Sequence, residues 1–127
     1  MRIAILAALT VAVISSPGCR GNNPDEAVAY QVATGGDANR GRVVIEQKNC
    51  GACHTIPGIR RARGMVAPPL YWFSRRTFIA GQLPNTPANL VRWVQSPVSV
   101  EPRTAMPMVG LSDQEARDVA AYLYTLR

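Results

Sequence analysis

Cys50-Gly51-Ala52-Cys53-His54 is the part of this chain that can do chemistry. Two thiols three positions apart on a helical turn can both reach one edge of a porphyrin, and the imidazole that follows lies beneath the iron. The spacing C-x-x-C-H is the attachment signature of a c-type haem. This predicts Cys50 and Cys53 as the haem thioethers and His54 as the proximal iron ligand. The neighbouring readings each have a defect. A thioredoxin-like C-x-x-C needs a preceding strand in a βαβ unit, and the residues before Cys50 have helical period. Structural zinc needs four ligands, and this cluster offers three. A structural disulfide leaves His54 without a role.

The rest of the composition narrows the choice. His54 is the sole histidine in 127 residues, which excludes His-rich zinc sites and a haem held by two histidines. Fourteen basic residues against eight acidic give a net charge of +6. The bases are scattered apart from Arg60, Arg61 and Arg63 and the pair Arg75 and Arg76, and no nucleic-acid motif accompanies them. Nucleic acid is therefore not expected as a partner. Hydrophobic residues at 47% and charged residues at 17% exclude intrinsic disorder. Ten Pro and ten Gly point to short elements joined by long loops.

The amino terminus reads as an export signal. Arg2 precedes an uncharged run, Ile3 to Ile14, which at twelve residues is too short to span a bilayer. Ser15-Ser16-Pro17-Gly18-Cys19 follows. A Gly-Cys junction after an apolar run resembles the lipobox of bacterial lipoproteins, with Ser16 standing where a Leu is preferred. The resemblance implies a signal peptide over 1–18 and Cys19 as an acylated first mature residue. An ordinary signal peptide with a stray Cys, or an uncleaved anchor, is the other reading. Residues 19–36 read as a polar tether, with a turn of helix over 26–32, and residues 37–127 as one domain.

Helices must position the pentapeptide. Asp37 is a plausible N-cap for a helix that leads into Cys50. Gly41 within it is either a close-contact residue or a poor helix former that is merely tolerated. Thr86 caps a second helix with Pro87 at its first position, Leu90, Trp93 and Val94 on one face, and Pro97 beyond its end. Ser112 and Glu115 form a capping box for a third, whose Ala116, Val119, Ala120, Leu123 and Leu126 recur at helical period. Arg127 at its end suits the macrodipole.

These features together resemble the class I cytochrome c family, from about Asp37 to Arg127. The resemblance implies an all-α cytochrome c fold, three main helices and long loops around one covalent haem c. It implies that Gly41 lets the first helix cross the last, with Ile45 in place of a common aromatic and a looser contact there. In Ala67-Pro68-Pro69-Leu70, it implies that the Pro68 carbonyl accepts the free N–H of His54 and that Leu70 packs on the haem. Trp93 is implied to lie against the haem on the methionine side. Pro97, Pro102, Thr104 and Met106 reproduce the spacing of the family's distal loop, which implies Met106 as the sixth ligand. Met108 stands two residues off that register, and Met65 lies on the proximal side of the chain.

With both axial positions filled, electron transfer is the expected function. A peroxidase-like haem enzyme needs an open sixth position and polar distal groups, and a haem redox or gas sensor needs an output element; both remain as alternatives. Phe78 to Trp93 resembles small cytochromes and cytochrome domains associated with terminal oxidases. The expected partners are a membrane reductase and a terminal oxidase, met at the periplasmic side of the bacterial cytoplasmic membrane or cell envelope.

Overall fold

The computed structural model describes Ala29, Gln31 and residues 33–127. The export signal, Cys19 and most of the expected tether lie outside the described residues. Three helices carry the architecture: α1 (Ala38–Gln47), α2 (Pro87–Gln95) and α3 (Asp113–Tyr124). Single 3-10 turns stand at Cys50–Ala52, Phe73–Arg75 and Pro97–Ser99. A two-residue antiparallel ladder pairs β1 (Phe78–Ile79) with β2 (Leu83–Pro84). Among the described residues no helix is long and apolar enough to cross a membrane.

Each helix starts where local chemistry says it should. The Asp37 carboxylate accepts the Arg40 N–H at 2.8 Å. The Thr86 hydroxyl accepts the Asn89 N–H at 3.3 Å, with Pro87 opening the helix. Ser112 and Glu115 exchange both hydrogen bonds of a capping box, at 3.3 and 2.7 Å. Gln95 closes α2 ahead of Pro97, as expected, and Pro97 begins a separate 3-10 turn. One end differs from the sequence reading: Tyr124 closes α3, and no basic residue stands in its last turn.

The core lies where α1 and α2 meet α3. Ala116, Val119, Ala120, Leu123 and Leu126 are all buried, as their period predicts, together with Leu90 and Val94 of α2. Ile45 is 1% exposed. It fills the α1 contact, in place of the looser packing expected for a residue that replaces an aromatic. Gly41 faces α3 at backbone distance: a Cβ there would overlap the Asp118 carbonyl, with its carbon at 2.5 Å, and would stand 3.1 Å from the Tyr122 Cβ.

Among the described residues Asp118 is the one buried carboxylate. It binds Arg40 through both oxygens, at 2.8 and 2.9 Å, the Asp37 N–H at 2.7 Å and the Gln114 amide at 2.9 Å. Burial pushes its pKa up, but these hydrogen bonds outweigh burial and hold it below the ordinary carboxylate value. The end of the 19–36 segment also docks on α3. Thr34 is buried, and the Gln114 amide donates to the Gly35 carbonyl at 3.2 Å.

Candidate haem site

Helix α1 delivers the chain to the pentapeptide. Lys48 ends the helix, and Asn49 turns the backbone into the left-handed region at φ 57°. The 3-10 turn that follows is closed by the Cys53 and His54 N–H groups, which both donate to the Cys50 carbonyl, at 3.3 and 3.0 Å. Asn can adopt this conformation at little cost, so the change of direction is built into the residue before Cys50. Gly51 is packed against Ala62, whose Cα would stand 2.5 Å from an added Cβ. The loop after the pentapeptide therefore closes on the turn with no room for a side chain at position 51.

Cys50 and Cys53 are free and half-buried on this turn. Burial pushes the Cys50 thiol up from its ordinary value; its own backbone amide pulls the other way, and Cys53 adds to the rise. Among the described residues no three His, Cys, Asp or Glu side chains converge to hold a metal ion. The structural-zinc alternative therefore lacks a donor set there.

The geometry at His54 is specific. Its Nδ1 lies 2.7 Å from the Pro68 carbonyl oxygen. A carbonyl only accepts, so Nδ1 carries the proton and donates. That fixes the tautomer and leaves Nε2 with a lone pair for a metal. The Pro68 turn is itself pinned. The Leu70 N–H donates to the Thr55 carbonyl at 2.8 Å, and the Ala67 N–H donates to the Cys53 carbonyl at 2.9 Å. The Arg76 guanidinium donates to the carbonyls of Pro69 and Tyr71. It also lies over the Phe73 ring, 5.4 Å from the centroid. Sequence reasoning did not single out Arg76 for this brace. The adjacent Arg75 and Arg76 registered only as charge.

Leu70 and Trp93 are half-buried and pack against the core. Met106 is half-buried and donates its N–H to the Thr104 hydroxyl at 3.2 Å. Met108 is 59% exposed and Met65 92%. The Met106 loop has no regular secondary structure and leads directly to Leu111 and the α3 cap. This donor set fits a haem c. Two free thiols and an imidazole with its outer nitrogen available share one turn, and a half-buried Leu, Trp and Met carry apolar surface for a ring to cover.

Comparisons with known proteins agree. The sequence model of the family described as cytochrome c matches residues 38–127. A cytochrome c oxidase subunit 2 of Alkalihalophilus pseudofirmus is 35% identical over 91 residues, 71% of this chain and 26% of that protein. The corresponding subunit of Bacillus sp. (strain PS3) is 31% identical over 100 residues, 76% of this chain and 28% of that protein. The chain thus spans about a quarter of the length of these two relatives. A cytochrome c-553-like protein of Synechocystis is 32% identical over 104 residues, covering 82% of this chain and 83% of that protein. No solved structure matches the chain significantly. The matched span holds α1, α2 and α3, the pentapeptide and the methionine loop. It supports a haem-based role in electron transfer, and the chain belongs to the cytochrome c family.

Proposed function

We propose that this protein is a one-electron carrier with a single covalent haem c, held by Cys50 and Cys53 and ligated by His54 and Met106. The observation that carries the reading is the 2.7 Å hydrogen bond from His54 Nδ1 to the Pro68 carbonyl. A bound haem iron supplies reversible one-electron exchange. The chain's own residues determine how that exchange proceeds. The Pro68 carbonyl orients the imidazole and raises its basicity. A neutral thioether from Met106 favours the ferrous state and raises the potential. Pro97, Pro102 and Pro107 stiffen the loop that presents Met106, so little backbone entropy is lost on ligation. With His54 and Met106 both bound to it, a haem iron would keep no open position for a substrate.

Similarity to two oxidase subunits favours a terminal oxidase as electron acceptor, with a membrane reductase as donor. The Cys19 anchor, outside the described residues, would hold the domain at the periplasmic side of the membrane. A multiply acylated terminus anchors stably, whereas one chain binds only marginally.

Protein made together with a haem-attachment system should stay coloured on a denaturing gel and exceed the apoprotein mass by one haem. Cys50→Ala with Cys53→Ala should abolish both. A folded, colourless protein from that expression would defeat the reading. Carbon monoxide binding to the reduced native protein would instead favour a haem enzyme or sensor. Fractionation should find the native protein in membranes and Cys19→Ala released.

A further inference from the structure

Glu101 is the sole acid between Glu46 and Asp113, and it stands in the loop that carries Met106. A lone acid in a proline-rich loop reads as solvated surface, yet its side chain is only 24% exposed. Both carboxylate oxygens are engaged. Oε2 accepts from the Gln82 amide at 3.1 Å. Oε1 accepts the Arg103 N–H at 3.0 Å and lies 3.7 Å from the Arg103 guanidinium. The backbone carbonyl of Glu101 accepts the Thr104 N–H at 3.0 Å. The Thr104 hydroxyl in turn accepts the Met106 N–H at 3.2 Å. A continuous set of hydrogen-bonded residues thus runs from Gln82 through Glu101 and Thr104 to Met106.

Gln82 is itself aimed by the fold. Before it, Ala80 and Gly81 both take left-handed backbone, at φ 50° and 70°. Two such residues in succession make a tight turn, and the alanine adopts it at a cost. The Gln82 N–H closes that turn on the Ile79 carbonyl at 2.9 Å, and Ile79 is 2% exposed. The β1–β2 hairpin is therefore rooted in the core at Ile79 and holds out Gln82 from a stiff turn. Residues 101–110, by contrast, form neither helix nor strand. Pro102 and Pro107 have no N–H to donate there. Among the described residues, side-chain hydrogen bonds join 101–110 to the rest of the fold at two points. Gln82 holds Glu101 at the start, and the Lys48 ammonium donates to the Gly110 carbonyl at 3.0 Å at the end. Only the first lies on the set of bonds that reaches Met106.

We propose that Glu101 is a positioning residue for Met106, holding the methionine loop against the β1–β2 hairpin through Gln82. The inference rests on the reading of His54 and Met106 as iron ligands and names what keeps the second ligand in place. A thioether is neutral and a weak donor, so its hold on iron depends on a loop already set in the binding form. The carboxylate makes the Gln82 bond stronger than one between neutral groups, which suits a latch on a loop with few other bonds. The exposed ion pair with Arg103 adds little. Without the Gln82–Glu101 bond the start of the loop swings more freely, and a larger fraction of molecules has Met106 away from the iron.

The test uses the full-length haem-loaded protein in its ferric form and follows the rate of cyanide binding. At limiting cyanide that rate is proportional to the fraction with Met106 off the iron. The weak long-wavelength band of the thioether–iron bond and the thermal midpoint are measured alongside. Gln82→Ala and Glu101→Ala should each speed cyanide binding about fivefold or more, the equivalent of one hydrogen bond of ordinary net worth. Gln82 is neutral and leaves the carboxylate in place, so its effect is not one of charge on the incoming anion. The double variant should be no faster than Glu101→Ala, because both changes remove the same bond. Tyr122→Phe, which loosens the fold elsewhere, should lower the midpoint and keep the cyanide rate within about twofold of native. Native rates in both single variants, or effects that multiply in the double variant, would overturn the proposal and leave Met106 as ligand. An equal acceleration in Tyr122→Phe would do the same, by tying ligand release to global stability. A native protein without the thioether band would overturn the Met106 reading and the proposal with it.

Discussion

Gly41→Ala separates two physical roles for one residue, because they predict opposite signs. A glycine merely tolerated in a helix costs about 1 kcal/mol against alanine. On that account the substitution stabilises the protein. The structure predicts the reverse. The new Cβ would overlap the carbonyl of Asp118, with the carbonyl carbon at 2.5 Å, and would press on the Tyr122 Cβ at 3.1 Å. Ordinary carbon–carbon contacts stand at about 3.5 Å, so α1 and α3 must part by about 1 Å at their crossing. Overpacking of this kind costs about 1–3 kcal/mol. It falls on the carbonyl of Asp118, the residue whose carboxylate binds Asp37 and Arg40, so the upper part of that range applies. Taking off the helix-propensity gain leaves a net loss of about 1–2 kcal/mol. For a domain of this size that lowers the thermal midpoint by about 4–16 °C. The assay is thermal unfolding of the haem-loaded protein, followed by circular dichroism and haem absorption. A midpoint raised by several degrees would show that the helices do not need the close approach.

Met106→Ala should erase the weak long-wavelength ferric band of a thioether–iron bond, lower the potential and admit carbon monoxide. Met108→Ala should leave all three unchanged, and the opposite pattern would move the ligand two residues along the loop. Asp118→Asn replaces an acceptor with an amide that turns a donor toward Arg40, the Asp37 N–H or Gln114, and should lose about 1–3 kcal/mol at neutral pH. Since the folded pKa of Asp118 lies below the unfolded value of about 3.9, its stabilisation is complete above that value. It disappears as pH falls through the folded value. Denaturant midpoints of native and variant should therefore converge in acid, and a constant gap down to complete protonation would contradict this. Tyr122→Phe leaves the Pro57 carbonyl without its 2.7 Å donor and should lose about 1 kcal/mol in the same assay.

The parts of this molecule set by neighbouring residues were legible in the sequence. The caps at Asp37, Thr86 and Ser112 depend on side chains reaching backbone three positions away, and all three form. The apolar period of the last helix gave its buried face for the same reason. Pro68 was legible only through resemblance, because a carbonyl fourteen residues from His54 leaves no local trace. Asp118 was missed. An acid in an amphipathic helix reads as solvated surface, and only the tertiary fold puts Arg40, the Asp37 N–H and Gln114 around it. The left-handed Trp72 and Ala80, at φ 50° each, carried no glycine or Asn-Gly signal at their own positions, although Gly81, at φ 70°, marks the β1–β2 turn.

Helix α3 ties the rest of the chain together. Asp118 reaches back to Asp37 and Arg40, and Tyr122 to Pro57. Tyr124 binds Asn85, and the Leu126 carbonyl accepts both donors of Ser74. Each partner was synthesised long before α3. Folding therefore cannot proceed in step with synthesis, since the earlier segments have little to pack on until residues 113–127 emerge. Closing such long loops at the end makes the final step slow and all-or-none. Until then Cys50 and Cys53 stay on an open chain, which would give the proposed haem attachment its interval of access. Losing the last turn of α3 should therefore do more harm than its few residues suggest, because every earlier segment waits for it.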